Sequence, residues 1–488
     1  MPEGDAGHVR GSGRWLRRTT AGFVVLVLVA AAAAYRFDLG DRLGLDQPSP
    51  VTEPAEVLPP AGLSLPRARP AAPVARATNE GAVDPAAVRR AVAPLLASKK
   101  LGRHVVVRVA QMSDGRVVYR SGEGPVTPAS TMKLLTMVAA LQALGPQHRF
   151  TTSVVTTPQS KRIVLVGGGD PLLARAPAPA GTYPRRADLA TLAKATAKGL
   201  KAIGRERVRL GYDTSLFAGP KVNPHWEPSY VPDDVVSPIS PLWVDEGRDR
   251  NGLSYRSRAP AGAAAALFAQ ALERRGITVV GAPTSVTAPS RSKGGASIAQ
   301  VRSAPLAEIV QHVVEVSDNE GAEVLSRQVA VAEGVPASFS GGARSVRRVL
   351  RGLGVSTSGD TIHDGSGLSR DDRLDPATLL AVIRTASAAQ HPGLRAAVAN
   401  LPVAGFSGSL TYRFDKGSPL ALGTVRAKTG TLTGVHGLAG TATSADGAVM
   451  SFVAIADRVK PVNTLDARAR IDRLAGALGG CECARSTP

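Results

Sequence analysis

The chain has 488 residues and carries 59 lysines and arginines against 39 aspartates and glutamates, which gives a formal net charge of +20 at pH 7. Its length exceeds what one ordinary hydrophobic core holds, so we expect two domains in the globular body. The positive charge permits nucleic acid as a partner, but no basic motif with interleaved aromatic residues and no zinc-ligand spacing occurs. We therefore expect no nucleic-acid partner.

The N-terminal residues predict export. Residues 1–18 are a basic tail with four arginines, and residues 19–35 are an uncharged apolar run. A basic segment followed by an apolar run is typical of a signal peptide or a membrane anchor. The run lies at the short end of the roughly 17–25 residues that span a bilayer. We expect a single-pass signal-anchor with the body at the outer face of the cytoplasmic membrane or in the cell wall, with a cleaved signal peptide as the alternative.

Residues 36–85 predict a linker, because they are rich in proline and alanine and show no sustained periodicity. The basic surface of an exported body is expected to meet anionic wall polymers or lipid head groups. One predicted helix carries Lys194, Lys198 and Lys201 on a single face, opposite an apolar stripe that Thr196 interrupts. An ordinary solvated helix face is the alternative interpretation of these lysines.

The two cysteines, Cys481 and Cys483, both lie at the end of the chain, in a predicted tail over 481–488. The body therefore has no disulfide framework. A bond between residues two apart would be strained, so free thiols and a link to another molecule are the interpretations left open.

The first motif is Ser130-Thr-Met-Lys133. Two β-rich runs joined by a turn precede it and predict a hairpin, and helix-forming residues follow it as far as Gly145. Ser130 would then lie in the first turn of a helix, where free backbone N–H groups favour a developing anion. Lys133 lies one turn further on the same face, and a buried lysine there can act as a general base. The alternative is an N-cap serine with a surface lysine.

The second motif is Ser317-Asp-Asn319, between amphipathic helices predicted over 306–316 and 321–333. A loop between two helices can direct side chains into a cleft. The serine hydroxyl could relay a proton there, and the asparagine amide could bind a substrate amide. Alone, this tripeptide is a common turn sequence.

The third motif is Lys428-Thr-Gly430, followed by Thr431. It predicts an edge strand on which Gly430 leaves room for a substrate backbone. The lysine and the two threonines would offer a cation and hydroxyl groups to a carboxylate. Runs over 435–443 and 448–456 predict further strands, and 464–478 predicts a terminal helix. The fold class expected is α/β (α+β), an antiparallel sheet flanked by helices.

Together and in this order, the three motifs are the set found in penicillin-binding proteins and class A β-lactamases. The interval between the first two motifs is much longer than that between the second and third. Residues 151–257 are therefore predicted to form an inserted β-rich domain, within a transpeptidase-like domain over 86–150 and 258–480.

The sequence resembles the low-molecular-mass class C penicillin-binding proteins, the D-alanyl-D-alanine carboxypeptidase/endopeptidases of peptidase family S13, over nearly all of 86–480. Further segments that carry the resemblance are 165–171, 240–242, 364–370 and 401–405. The resemblance implies a serine hydrolase, with no cofactor and no metal, that acts on peptidoglycan stem peptides and is acylated by β-lactams.

The resemblance also implies roles for individual residues. Ser130 would be the acylated nucleophile, Lys133 its base and Ser317 a proton relay. Asn319 would bind the substrate amide, and the third motif would hold the terminal carboxylate through Lys428, Thr429, Gly430 and Thr431. The backbone N–H groups of Ser130 and Thr431 would form an oxyanion hole, a contribution of several kcal/mol in such enzymes.

A specificity pocket is implied as well. Asp170 and Arg370 match family positions that recognise the free end of a diaminopimelate side chain, and Leu432 would line the same pocket. The sequence departs from the family at Asp372, where asparagine is usual, and this puts the hydrogen bonding of that loop in question.

Two alternatives to a DD-peptidase follow from the same motifs. A class A β-lactamase needs a deacylating glutamate in an E-x-x-x-N stretch beyond the second motif, which Glu320, Glu323 and Glu333 do not provide. A non-catalytic cell-wall-binding protein on the same fold predicts damaged motifs, whereas all three are intact.

Overall fold

A computed structural model describes residues 82–248, 255–414 and 419–485 of the chain. The predicted basic tail, the apolar run and nearly all of the linker lie outside these residues. Within the described ranges, no helix has both the length and the apolar character that crossing a membrane requires.

Strands and helices are numbered here in chain order. The strands are β1 Val105–Gln111, β2 Val117–Ser121, β3 Thr151–Thr156, β4 Arg162–Val166, β5 Arg207–Asp213, β6 Thr278–Val279, β7 Thr284–Ser285, β8 Ala296–Arg302, β9 Val425–Leu432, β10 Val435–Thr443 and β11 Val449–Ala456. The helices are α1 Pro85–Leu96, α2 Lys133–Leu144, α3 Leu189–Ala202, α4 Pro260–Glu273, α5 Leu306–Val316, α6 Asn319–Ala332, α7 Phe339–Gly352, α8 Pro376–Ser387, α9 Ala396–Ala399 and α10 Thr464–Gly480.

The first sheet has five antiparallel strands in the order β2-β1-β11-β10-β9. Alternate residues of β1 face opposite sides, so Val106 packs in one core and Val107 in another. The first core contains α2 and α8, and the second contains α1 and α10. The predicted hairpin, the terminal helix and the expected fold class are all confirmed.

Helix α2 is the centre of the first core. Its residues from Lys133 to Leu141 are all buried, and apolar side chains surround it. Full burial of one aliphatic side chain contributes roughly 1.5–3 kcal/mol. Packing of the whole helix therefore fixes the position of its first residue, Lys133.

The second sheet is mixed, with strand order β6-β5-β4-β3-β8, and it packs with α3 and α4 around a separate core. Its strands extend to Arg302, beyond the end at 257 that the sequence predicted for the inserted segment. The alanine-rich apolar face of helix α4 predicts burial without indicating which core it joins. In α3, the buried Thr196 hydroxyl donates to the Leu192 carbonyl at 2.8 Å, so the polar break is satisfied within the helix.

The cysteines correct an expectation. Cys481 and Cys483 are bonded to each other, and their Cα atoms lie 5.3 Å apart, within the range that disulfides span. The chain is extended just after α10, and Cys483 is buried. The expectation that these residues would not pair with each other is wrong, because the extended backbone brings their side chains together. The tail also pairs with the start of the body, where Asp84 N donates to Cys483 O at 2.8 Å.

Candidate active site

Ser130 lies on a short 3₁₀ turn, Ala129–Met132, that leads directly into α2. The turn begins with Ala129 at φ 47°, a left-handed conformation that costs energy for a residue with a side chain. Surrounding contacts hold it, since both the backbone N–H and the hydroxyl of Thr131 donate to Pro128 O, at 3.2 and 2.7 Å. Ser130 is half-buried, so it is partly accessible to solvent.

Lys133 is fully buried and its amine has three oxygen partners. Nζ lies 2.9 Å from Ser130 Oγ, 2.8 Å from Asn319 Oδ1 and 2.9 Å from Ser366 O. Burial lowers the pKa of Lys133 to about 8, although the carboxylates of Asp318 and Asp364 act in the opposite direction. The amine can therefore lose its proton near neutral pH while it touches the serine hydroxyl.

The second motif reverses the chain between α5 and α6. Ser317 ends α5 in a left-handed conformation, with φ 61° and ψ 40°. Asp318 then caps α6, because its Oδ1 accepts from Gly321 N at 3.0 Å. This geometry directs Asn319 to Lys133, and Ser317 Oγ to Lys428 Nζ at 2.8 Å. Helix α5 matches its predicted bounds, whereas α6 begins earlier than predicted because Asp318 is its cap.

The third motif lies on β9, which is the edge strand of the first sheet, as predicted. Lys428 is fully buried, and besides Ser317 its amine reaches Thr429 O at 3.2 Å. Burial, followed by the charges of Lys133 and Arg413, lowers the pKa of Lys428 well below its ordinary value. Thr429 Oγ1 donates to Ser409 Oγ at 3.1 Å, and Thr431 is exposed.

Gly430 lies where β9 comes close to the turn that carries Ser130. A Cβ atom at this position would lie 2.8 Å from Pro128 O and 3.2 Å from Thr131 Cγ2. The missing side chain therefore lets β9 approach the turn that carries Ser130. That Gly430 also leaves room for a substrate backbone stays a prediction. This close approach brings the third motif to the first.

The structure thus brings the three motifs together. Ser130, Lys133 and Asn319 form one set of contacts, and Ser317 and Lys428 form an adjoining one. A hydroxyl beside a deprotonatable amine can become a nucleophile, and a second hydroxyl beside a buried amine can pass a proton to a leaving group. The arrangement is suited to acyl transfer.

The predicted specificity residues border one apolar cluster, which consists of Trp226, Val236, Ile239, Trp243, Val324, Phe339 and Leu368. Asp170 is buried, its Oδ1 accepts from Leu172 N at 2.9 Å, and burial raises its pKa to about 7. It is next in the chain to Pro171, whose carbonyl accepts from the Trp243 indole at 3.1 Å. Leu432 packs against the same cluster.

Arg370 contacts the backbone one residue beyond Leu432. Its Nε pairs with Glu227 Oε1 at 3.0 Å, and its Nη1 donates to Thr433 O at 3.0 Å. Tyr230, at the border of the cluster, is also a hydrogen-bond partner of Arg370. The ends of the two predicted recognition side chains are thus held separately, each by its own neighbours.

Several residues at the site are not recognisable from the sequence. Ser366 presents a backbone carbonyl to Lys133, and Ser409 presents a hydroxyl to Thr429. Ser366 falls within the 364–370 segment that carried the resemblance, but neither a carbonyl contact nor the long-range contact of Ser409 has a sequence signal.

One group of side chains in the described ranges has the spacing of a metal site. Single ligand atoms of Glu246, His312 and Asp318 lie within 4.8 Å of one another. Arg248 already pairs with Glu246 at 2.8 Å, and burial raises the pKa of Glu246 to about 8. Arg248 and a proton thus compensate the negative charge in this group, to which the second motif contributes Asp318.

Comparison with known proteins defines the class. The chain matches the model of the D-Ala-D-Ala carboxypeptidase 3 (S13) family over residues 88–252 and 249–478. It belongs to this family and is a serine-type D-Ala-D-Ala carboxypeptidase.

Two relatives match over almost their whole length. Carboxypeptidase DacB of Mycolicibacterium smegmatis is 37% identical, with 96% of this chain and 99% of the relative covered. Carboxypeptidase Rv3627c of Mycobacterium tuberculosis is 35% identical, with 97% and 99% covered. Among solved structures, penicillin binding protein 4 of Haemophilus influenzae superposes with a TM-score of 0.62 at 22% identity, covering 80% of this chain and 98% of that chain, and so has the same fold.

Proposed function

We propose that this carboxypeptidase trims peptidoglycan stem peptides through an acyl-enzyme on Ser130. Ser130 Oγ attacks the carbonyl carbon of the D-Ala-D-Ala bond, the terminal D-alanine leaves, and water then hydrolyses the ester. The observation that carries the proposal is the contact of Lys133 Nζ with Ser130 Oγ at 2.9 Å. Because burial lowers the pKa of Lys133 to about 8, this amine can take the serine proton.

Ser317 is assigned to the return of that proton. Its hydroxyl contacts the buried Lys428 amine, and Asn319 of the same loop contacts Lys133. A proton can therefore pass from the Lys133 side of the cleft to the leaving amine through Ser317. The developing oxyanion would be stabilised by the backbone N–H groups of Ser130 and Thr431.

Lys428, Thr429, Gly430 and Thr431 are assigned to the substrate carboxylate. The strand that carries them is at a sheet edge, where an extended peptide can be added by main-chain hydrogen bonds. The pKa of Lys428 is lowered by burial. A substrate carboxylate beside the amine acts in the opposite direction, so binding the substrate also favours the charged amine.

Asp170, Arg370 and Leu432 are assigned to recognition of the free end of a diaminopimelate side chain. Their common position at the border of one apolar cluster supports this assignment. The test is a pair of stem peptides that differ only in whether that free end is present or blocked. The variants Asp170→Asn and Arg370→Met should each lose most of the preference for the free end, and an unchanged preference would refute the assignment.

A β-lactamase is the less supported alternative. Glu320 pairs with Arg256 at 2.6 Å, and Glu323 accepts from Gly365 N and Ser366 N. Glu320 and Glu323 are thus engaged in the interior rather than placed to activate a deacylating water. This supports slow release of a penicilloyl group.

The decisive experiment is labelling of the full chain with a fluorescent penicillin, together with measurement of D-alanine release. Wild type should label and keep the label, and Ser130→Ala should not label. No labelling of wild type would refute the proposal in favour of a non-catalytic wall-binding protein. Fast loss of the label would favour the β-lactamase. Rates of D-alanine release and of cleavage of cross-linked muropeptides, measured on the same protein, then give the ratio of carboxypeptidase to endopeptidase activity.

We also propose that residues 19–35 hold the enzyme at the outer face of the cytoplasmic membrane, with the basic surface directed to anionic wall polymers. The exposed Lys194, Lys198 and Lys201 on α3 support the second part. Fractionation of cells that express the full chain or a chain without residues 1–35 tests the anchor. Co-sedimentation with purified wall polymer, for wild type and for the triple lysine-to-glutamine variant, tests the basic face.

A further inference from the structure

Two carboxyl groups meet in the interior next to the active-site loop. Asp364 and Asp372 are 1% and 0% exposed, and the side chain of Asp364 is a hydrogen-bonding partner of that of Asp372. Two carboxylates in contact away from water cannot both be ionised, because their repulsion is little screened there. One proton must therefore be held by the pair.

The surrounding donors indicate which group holds it. Asp372 accepts one hydrogen bond, from His363 N to Oδ1 at 2.7 Å, while its Oδ2 is buried and has no partner among the described donors. Asp364 accepts three, each at 2.7 Å, from Gly367 N, Ser369 N and Trp226 Nε1. Donated hydrogen bonds disfavour the protonated form of a carboxyl group, so the shared proton belongs on Asp372, which accepts fewer.

The pair is connected to the reacting groups through one loop. Residues 364–369 wrap around the Asp364 carboxylate, and Ser366 within this loop gives its carbonyl to Lys133 Nζ at 2.9 Å. On the other side, Gly365 N and Ser366 N donate to Glu323 on α6. The orientation of Asp364 therefore determines where a partner of Lys133 lies.

We propose that Asp372 is a positioning residue that works in its protonated form, with its Oδ2–H donated to Asp364 and the Ser366 carbonyl thereby held on Lys133. The proposal rests on the assignment of Lys133 as the base. Loss of the Asp372 proton places a second negative charge beside Asp364. The repulsion between the two carboxylates displaces the loop, and the added negative charge makes Lys133 bind its own proton more tightly. Both effects slow acylation as the pH rises.

The electrostatics of the pocket agree with a held proton. Burial, followed by the charge of Asp364, raises the pKa of Asp372 well above its ordinary value. The titratable and charged groups around Asp372 are Asp364 in its own loop, Glu323 on α6, the adjacent Asp371 and Arg373, and the stacked pair His225 and His363.

The test is the acylation rate constant with a reporter penicillin, measured against pH on the full chain. Asp372→Asn keeps an N–H donor at every pH, so at pH 7 it should react within about threefold of wild type and should lack the alkaline fall of wild type. Asp372→Ala has no donor and should react about tenfold more slowly or worse at all pH values. Asp371→Asn is the matched control, because Asp371 is exposed and paired with His225, and it should keep the wild-type profile.

An alkaline fall that persists in Asp372→Asn would overturn the proposal. So would an Asp372→Asn protein that melts like wild type yet reacts as slowly as Asp372→Ala. Absence of acylation in wild type at every pH would instead refute the proposed function.

Thermal unfolding provides a readout that does not depend on activity. A carboxyl whose pKa is raised in the folded state binds its proton more tightly in the folded protein than in the unfolded chain. Wild type should therefore lose stability relative to Asp372→Asn as the pH rises above about 3.9, the pKa of an aspartate in the unfolded chain. The melting temperature of Asp372→Asn minus that of wild type should therefore increase with pH. A difference that is constant with pH would overturn the proposal.

Discussion

The two buried lysines of the active site have the same burial but opposite surroundings. Lys133, at the start of α2, faces the carboxylates of Asp318, Asp364, Glu323 and Glu320, which oppose the effect of burial on its pKa. Lys428, on β9, has Lys133 and Arg413 as its charged neighbours, and both act in the same direction as burial. The pKa of the first amine is therefore about 8, whereas the pKa of the second is lowered by its charged neighbours as well as by burial.

This difference indicates how one cleft can use two lysines for two tasks. An amine with a pKa of about 8 can accept a proton from Ser130 and return it within one turnover. An amine whose charged neighbours in the described ranges, Lys133 and Arg413, are both cations is suited to bind a substrate carboxylate. This difference between the two lysines is tested by substitutions of Lys133 and Lys428, of Gly430, and of Asp318, whose charge acts on Lys133.

Replacement of Lys133 should have the largest effect. Lys133→Met keeps most of the side-chain volume but removes the base, and acylation should slow by about 10³-fold. The loss should be the same for substrates with and without a terminal carboxylate. Rate constants with both substrate types check this, and a loss confined to carboxylate substrates would contradict the assignment.

Replacement of Lys428 should have a smaller and more selective effect. Lys428→Met should lower kcat/KM by about 10²-fold for a peptide with a free terminal carboxylate, because the charge partner is lost. A thioester or amidated analogue without that carboxylate should lose far less. Equal losses for the peptide with the carboxylate and for the analogue without it would show that Lys428 acts in the acylation step rather than in carboxylate binding.

Replacement of Gly430, which lies where β9 meets the Ser130 turn, should have a smaller effect on acylation than replacement of either lysine. Gly430→Ala places a Cβ atom 2.8 Å from Pro128 O, so β9 and the Ser130 turn must separate. We expect a loss of about 1–3 kcal/mol in stability and about tenfold in acylation. Gly352→Ala at the end of α7 is the matched control, since its Cβ would have no neighbour within 4 Å. Melting curves and acylation rates that are equal for the two variants would contradict this role.

The smallest effect should come from the charge behind Lys133. Asp318→Asn keeps a good helix cap but removes the first of the charges that raise the pKa of Lys133. The pKa of Lys133 should fall, and the acid limb of the acylation profile should move to lower pH by less than about one unit. Asp371→Asn, at the surface, should leave the limb in place. A shift to higher pH would contradict the sign.

The sequence predicted the elements around the motifs well because local signals define them. Helix α5 ends where Ser317 turns, and β10 and α10 begin where their periodic patterns begin. What it missed depends on long-range packing. An apolar helix face such as that of α4 does not specify which core it joins, so the sequence alone does not place α4 against the second sheet. The close approach of Gly430 to the Ser130 turn and the contact of the Ser366 carbonyl with Lys133 likewise have no signal in the sequence, because each joins segments that are distant in the chain.

The pairing of Cys481 with Cys483 was missed for a related reason. A spacing of two residues predicts strain, whereas the extended backbone after α10 decides the separation of the two residues. The contacts between Arg370 and Glu227 were also outside the sequence argument, because no pattern relates those two positions.

The central claim is that burial makes Lys133 the base for Ser130. The most direct test is the acylation rate constant of wild type against pH, measured beside Lys133→Met. We expect the wild-type rate constant to rise with pH through an apparent pKa of about 8, and we expect no such rise in the variant. The same rising limb in both proteins would contradict it.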